Sequence, residues 1–161
     1  MTDKRLILDA LLNRLEAEAT ELLSAAETTR SGATHAEARP ENSKDTRALE
    51  ASYLARGQAQ RVEEVNELIT RLRFLDLPSY GEDDVVGPAA LVEVEIDGER
   101  LERLFLVPAG GGHTVEVDGL TIRAITIASP VGRGLLGKEV GDDFKLTIRG
   151  KSREYVIESL S

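Results

Sequence analysis

Between Ser31 and Tyr53 the chain carries four carboxylates, Glu37, Glu41, Asp45 and Glu50, interleaved with the cations Arg39, Lys44 and Arg47. Exposed ion pairs in a loop contribute almost nothing to stability, so one account of the stretch is a solvated charged turn. The other account is chemical. Mg²⁺ is a hard ion that takes oxygen ligands and commonly uses only one or two protein carboxylates, which makes Glu41 and Asp45 the pair best suited to be presented to it. His35 is a further candidate ligand, although a single histidine near a loop is usually a polar surface residue. Tyr53 sits one turn below these groups, where packing into the last layer of a helical pair is favoured over contact with a partner.

The elements that position the carboxylates follow from apolar spacing on either side. Leu8, Leu12, Leu15, Ala19, Leu22 and Ala26 recur at alternating steps of four and three, and Ala55, Val62, Val65, Ile69 and Leu72 do the same, with Gln58 in one slot. Packed antiparallel, Leu8 meets Leu72, Leu12 meets Ile69, Leu15 meets Val65 and Ala19 meets Val62. The paired numbers total 80 or 81, so the chain reverses near Pro40, a residue that cannot sit inside a helix. Asp3 is placed to cap the first arm, and Asp45 or Thr46 the second, whose body runs from Arg47 to Leu75. Gly32 costs about 1 kcal/mol in a helix interior, so the first helix is expected to fray or end there, leaving Ala33 to Lys44 as an irregular crown. Each arm of roughly 30 residues at about 1.5 Å rise spans on the order of 45 Å. Two helices alone enclose no active site, which puts any chemistry at the tip, near residues 37–46, and any metal in another molecule.

Composition narrows the partners. The 161 residues carry a net charge of −9, with 41% hydrophobic and 30% charged residues. Residues 1–79 hold 11 Lys plus Arg against 14 Asp plus Glu, and residues 80–161 hold 9 against 15. Neither half has the basic excess that unaided nucleic-acid binding requires, so a basic protein or a metal ion is the favoured partner. The absence of cysteine excludes disulfides and thiolate metal sites. No apolar run approaches the ~20 residues of a membrane span, and Met-Thr-Asp-Lys-Arg is not a signal core; a soluble, cytoplasmic monomer without membrane association is expected.

Asp76 to Asp84, with Pro78, Gly81 and three consecutive acids, breaks the helical period. Residues 1–77 are therefore assigned to the hairpin, 78–84 to a linker and 85–161 to a second domain. Leu91–Ile96 alternates apolar and charged residues, Asp97-Gly98 turns the chain, and Leu101–Val107 returns. Ala109-Gly-Gly-Gly112 is a flexible turn and not a phosphate loop, since no Lys-Ser/Thr and no helix follow. Thr114–Val117 and Leu120–Ile127 flank Asp118-Gly119. Ser129-Pro130 opens a short helix that exits at Gly137. Phe144–Ile148 and Glu154–Leu160 complete six antiparallel strands around one helix, a small α+β domain. Its expected core is Val92, Val94, Ile96, Leu104, Leu106, Ile125, Ile127, Leu135, Leu136, Leu146, Ile148, Val156 and Ile157.

The string Ser129-Pro130-Val131-Gly132-Arg133-Gly134-Leu135-Leu136-Gly137-Lys138, then Gly141-Asp142 and Glu154-Tyr155-Val156-Ile157, closely resembles the C-terminal domain of the bacterial GreA/GreB transcript cleavage factors. The resemblance covers about residues 85–161. It implies an FKBP-like C-terminal domain that docks on RNA polymerase, with Ser129, Pro130 and Arg133 at the contact. It also implies an N-terminal antiparallel coiled coil that enters the polymerase secondary channel, where acidic tip residues help hold a catalytic Mg²⁺ so that the polymerase cleaves backtracked RNA. On that basis Glu41 and Asp45 share the polymerase metal, and Glu37, Lys44, Glu50 and Tyr53 support the tip. The protein itself would bind no cofactor when alone, would meet nascent RNA only indirectly through the polymerase, and would be no enzyme. The tip departs from the family pattern. The family's Asp-Leu-Lys-Glu has acids three apart, whereas Glu41-Asn42-Ser43-Lys44-Asp45 has them four apart, and Tyr53 precedes Ala55-Arg56 with one residue fewer between.

Three alternatives stay open. A channel-binding regulator or inhibitor would bind without stimulating cleavage. An FKBP-like prolyl isomerase would need an aromatic-lined pocket, for which three Phe and no Trp are few. A dimer would pair the hairpin seams of two chains.

Overall fold

The computed structural model describes residues 2–37 and 45–161, with the backbone alone at 32–37, 45, 47, 48 and 51. It divides into two compact units, one of Met1–Leu12 with Arg71–Ser161, the other of Asn13–Thr70.

The second unit is a pair of helices, drawn from α1 (Lys4–Glu37) and α2 (Asp45–Arg73). Leu15, Ala26, Ala55, Val65 and Ile69 are buried in it, at the expected seam positions. Arg61 Nη2 lies 3.4 Å from Glu18 Oε1, joining the two helices at positions whose numbers total 79, in step with the antiparallel register. Two details differ from expectation. α1 passes Gly32 and ends at Glu37, so the glycine does not stop it; a cost near 1 kcal/mol is small against a helix already running through seven turns. The seam is also uneven, since Ala19, Leu22 and Val62 are only half-buried. A helix covered by a single neighbour shields only the centre of its apolar stripe.

The other unit buries the ends of the same helices more completely. Ile7, Leu8, Leu11 and Leu72 are all buried there. Ile7 and Leu11 lie off the coiled-coil spacing, and Leu12, expected in the seam, is half-buried. The stripe has widened to the face that a globular core covers. Residues 78–84, expected as a linker, fall inside this unit. The Tyr80 hydroxyl donates to the Pro88 carbonyl at 2.8 Å, its ring packs on the sheet core, and the Lys4 ammonium lies 4.9 Å above that ring. Lys4 also donates to the Pro78 carbonyl. Burial pushes the Lys4 ammonium below its ordinary pKa; burial, then the Asp84 charge, pushes the Tyr80 phenol above its own.

Six strands, β1 (Leu91–Ile96), β2 (Arg100–Val107), β3 (Thr114–Val117), β4 (Leu120–Thr126), β5 (Asp143–Ile148) and β6 (Lys151–Leu160), form one sheet in the order β3-β4-β2-β1-β6-β5. The sheet is mixed: β2 and β4 run parallel, with Leu104 opposite Arg123, and the other neighbours are antiparallel. The all-antiparallel expectation fails because the Gly-rich turn carries the chain past β4 before β3 forms. Gly112 N–H donates to Ala124 O, and Ala124 N–H to His113 O, each at 2.8 Å, which fastens this turn to the flank of β4. β3 is left at the edge and β4 pairs with β2.

One face of the sheet packs against the short helix α3 (Pro130–Leu135). Val92, Val94, Ile96, Leu104, Leu106, Ile125, Leu135 and Ile157 are buried there, as the alternation predicts. Tyr155 and Leu160 replace Val156 in this core. A bulge between Glu93 and Val94 shifts the register so that Val94 faces Ile157 while Val92 faces Leu160, bringing both β6 residues to one side. Leu136 and Ile148 are exposed and Ile127 and Leu146 only partly buried, because six helical residues cover only part of the face. Phe105, Val107 and Ile122, on the opposite face, are fully buried as well.

Candidate functional site

Two places carry the residues singled out by type and spacing. At the distal end of the helices, Arg39, Pro40, Glu41 and Lys44 lie outside the described residues, as do the side chains of His35, Glu37, Asp45 and Arg47. Glu50 and Tyr53 are described, and both are exposed. Tyr53 is 60% exposed and does not pack into a last layer of the hairpin. At about 100° per residue it projects roughly 200° from Ala55, which points into the seam. The Arg56 guanidinium lies 5.7 Å from its ring centre, an exposed cation–π contact. Leu49, one turn before it on the same helix face, and Leu54 beside it are also exposed. Their departure from the seam spacing was the readable signal for this apolar strip. Among the described residues no group of three or more His, Asp or Glu is placed to hold a metal ion.

The second place is the segment from Ser129 to Asp142. Ser129 holds extended backbone angles, φ −67 and ψ 159, and caps α3. Its Oγ accepts from Gly132 N–H at 3.1 Å and donates to Thr126 O at 2.7 Å, so the hydroxyl is committed to joining β4 to the helix. Pro130 occupies the first helical position, where a missing N–H costs nothing. Pro130 and Arg133 are exposed, whereas Ser129 is half-buried. The structure thus brings the three predicted contact residues onto one short element, with Pro130 and Arg133 available at the surface and Ser129 setting their orientation.

The glycines here have a geometric cause. A Cβ on Gly132 would sit 2.1 Å from Thr126 O, so only glycine lets α3 approach the end of β4 so closely. Gly141, at φ +91, donates its N–H to Ile157 O at 2.8 Å, and Ile157 N–H returns a bond to Asp142 O at 2.9 Å. Asp142 Oδ2 accepts from Glu139 N–H at 2.8 Å and closes the turn. Lys138 reaches over the Phe144 ring, which stacks on Tyr155 with centroids 5.0 Å apart. Ser129, Gly132, Gly141 and Asp142 therefore fix where one exposed corner of the sheet unit lies.

Among the described residues no helix is long and apolar enough to cross a membrane. Residues 81–161 match the family model described as transcription elongation factor, GreA/GreB, C-term. The transcription elongation factor GreA of Mesorhizobium japonicum is 34% identical over 117 residues, 73% of this chain and 69% of that protein. GreA of a Sulfurovum species is 31% identical over 100 residues, 62% of this chain and 58% of that protein. Among solved structures, GreA factor homolog 1 (Gfh1) of Thermus thermophilus is 21% identical and aligns over 93% of this chain and 94% of its own, with a TM-score of 0.38. With half of its length matching the family model and a relative 34% identical across 73% of it, the chain belongs to the GreA/GreB family of transcription elongation factors.

Proposed function

We propose that this elongation factor binds RNA polymerase through the corner formed by Ser129, Pro130 and Arg133, and inserts the distal end of its helical pair into the secondary channel to promote cleavage of backtracked RNA. The observation that supports it most is the joining, in one chain, of the family's C-terminal domain to an antiparallel helical pair, with Glu41 and Asp45 lying in sequence between the end of α1 and the start of α2. Pro130 and Arg133 are exposed, and the Ser129 cap holds the corner at which they sit. Glu41 and Asp45 are hard oxygen donors of the type Mg²⁺ takes, and they would share an ion held mainly by the polymerase, with Glu37 and Glu50 in reserve. Such an ion polarises a phosphoryl oxygen and lowers the pKa of a bound water. The chain's own part is to carry negative charge to the site and to hold the carboxylates there.

The test is dinucleotide release from stalled elongation complexes, with and without the protein and with Glu41→Ala/Asp45→Ala. Release that rises with the wild type and fails with the variant, binding being retained, supports the proposal. A second outcome is favoured by the four-residue spacing of the tip acids, which differs from the family's three. If the wild type binds and cleavage never rises, the protein occupies the channel as a regulator or inhibitor.

A further inference from the structure

The face of the sheet that carries the core continues beyond the cover of α3, and its composition changes there. Along the alternation of β6, Ile157 and Tyr155 are buried, and the next positions on the same side are Arg153 and Lys151. Across the ladders, Arg153 lies opposite Leu146 and Lys151 opposite Ile148 on β5, while Arg100 lies opposite Ile96 on β1. Arg123 occupies the matching side of β4, opposite Leu104. Arg149 stands in the two-residue turn between β5 and β6, where it and Gly150 hold φ of 52° and 78°, a tight and well-defined geometry. These strands bound a groove of about 440 Å³. Its floor is Ile96, Val131, Leu146 and Ile148, and its rim is five cations.

The rim is not neutralised from within. Glu102 lies 2.9 Å from both Arg100 and Arg123 and offsets one of their charges. No ion pair forms at Arg149, Lys151 or Arg153 among the described residues, and Ile148 is left 40% exposed beside them. In a chain of net charge −9, a cluster of five cations around an apolar floor departs sharply from the average surface. Single-stranded nucleic acid is a poor occupant, because base stacking needs a free aromatic face. The one ring lining the groove, Tyr155, is buried and stacked on Phe144. Guanidinium forks around an apolar floor match a peptide segment that carries Asp or Glu beside an apolar anchor.

We propose that this groove is a second docking point, receiving an acidic segment with an apolar anchor on the surface of RNA polymerase; the inference rests on the polymerase reading above. The carboxylates would meet Arg149, Lys151 and Arg153, and the anchor would cover Leu146 and Ile148. The experiment titrates purified RNA polymerase into the fluorescently labelled full chain at about 50 mM and about 300 mM salt. Wild-type affinity is expected to fall about tenfold between the two. Arg149→Glu/Lys151→Glu/Arg153→Glu should bind about tenfold more weakly at low salt and lose most of the salt dependence. Arg149→Lys/Arg153→Lys, which keeps the charge and loses the guanidinium forks, should bind between wild type and the reversed variant and keep the salt dependence. The altered residues are exposed or half-buried, and an unchanged melting curve verifies that the variants fold. Charge reversal without effect at either salt would overturn the groove while leaving the polymerase reading intact. Failure of the wild type to bind would take both down. Displacement of the wild type by a short single-stranded RNA that spares the reversed variant would make nucleic acid the occupant and overturn the acidic segment.

Discussion

The corner at Ser129–Asp142 and the distal end of the helical pair both carry candidate contact residues, but they are specified in opposite ways. At the corner residues answer to neighbours on another element: Gly132 to Thr126 at the end of β4, Gly141 to Ile157 on β6, Lys138 to Phe144 on β5. Along the helices the demands are periodic, and off the seam the contacts are exposed ones such as the Arg61–Glu18 pair. Gly57 shows the contrast, for a Cβ there would meet no atom within 4 Å. The string that resembles the family's therefore lies where geometry is over-determined, and the tip, where it is not, is where the chain departs from the family's spacing.

Substitutions that separate the two regimes should rank accordingly. Gly132→Ala drives a Cβ into the Thr126 carbonyl, and chemical denaturation should show a loss of about 3 kcal/mol. Leu15→Ala opens the helical pair at a residue 1% exposed and should lower stability by about 2.5 kcal/mol in the same measurement. Ser129→Ala removes the cap of α3 and should cost about 1 kcal/mol, with polymerase affinity falling as Pro130 and Arg133 lose their fixed placement. Gly57→Ala should raise the thermal midpoint, a gain of about 0.7 kcal/mol, since the alanine meets no obstacle in a helix interior. Tyr53→Ala should leave stability within about 0.5 kcal/mol, its ring being exposed, and any loss of activity would then report a contact with a partner. A Gly57→Ala variant that destabilised, or a Gly132→Ala variant that did not, would dissolve the distinction.

Much of the architecture was legible because it rests on local periods. The seam residues Leu15, Val65, Ile69 and Leu72, the six strands and the Ser129 cap all follow from spacing and turn chemistry. What was not legible depends on pairing between distant segments. The parallel β2–β4 ladder comes from how the Gly-rich turn lies on β4, and the burial of Leu160 in place of Val156 from one extra residue, Glu158, in β6 opposite Glu93 and Val94. The cationic groove was partly visible, since Lys151, Arg153 and Tyr155 alternate. That alternation names a face, but only the limited extent of α3 leaves it uncovered. At the tip, Glu41 and Asp45 are legible from chemistry and from the resemblance, whereas the exposure of Tyr53 follows only from its angle of roughly 200° to the seam residue Ala55.

On the proposed function, the residues between α1 and α2, Glu41 among them, reach the catalytic centre of RNA polymerase. A photo-crosslinking residue placed at position 42 tests it directly in complexes with purified polymerase. Crosslinks to polymerase segments around the catalytic metal, competed away by another secondary-channel factor, are the predicted result; crosslinks confined to the outer surface, or none from a variant that still binds, would contradict it.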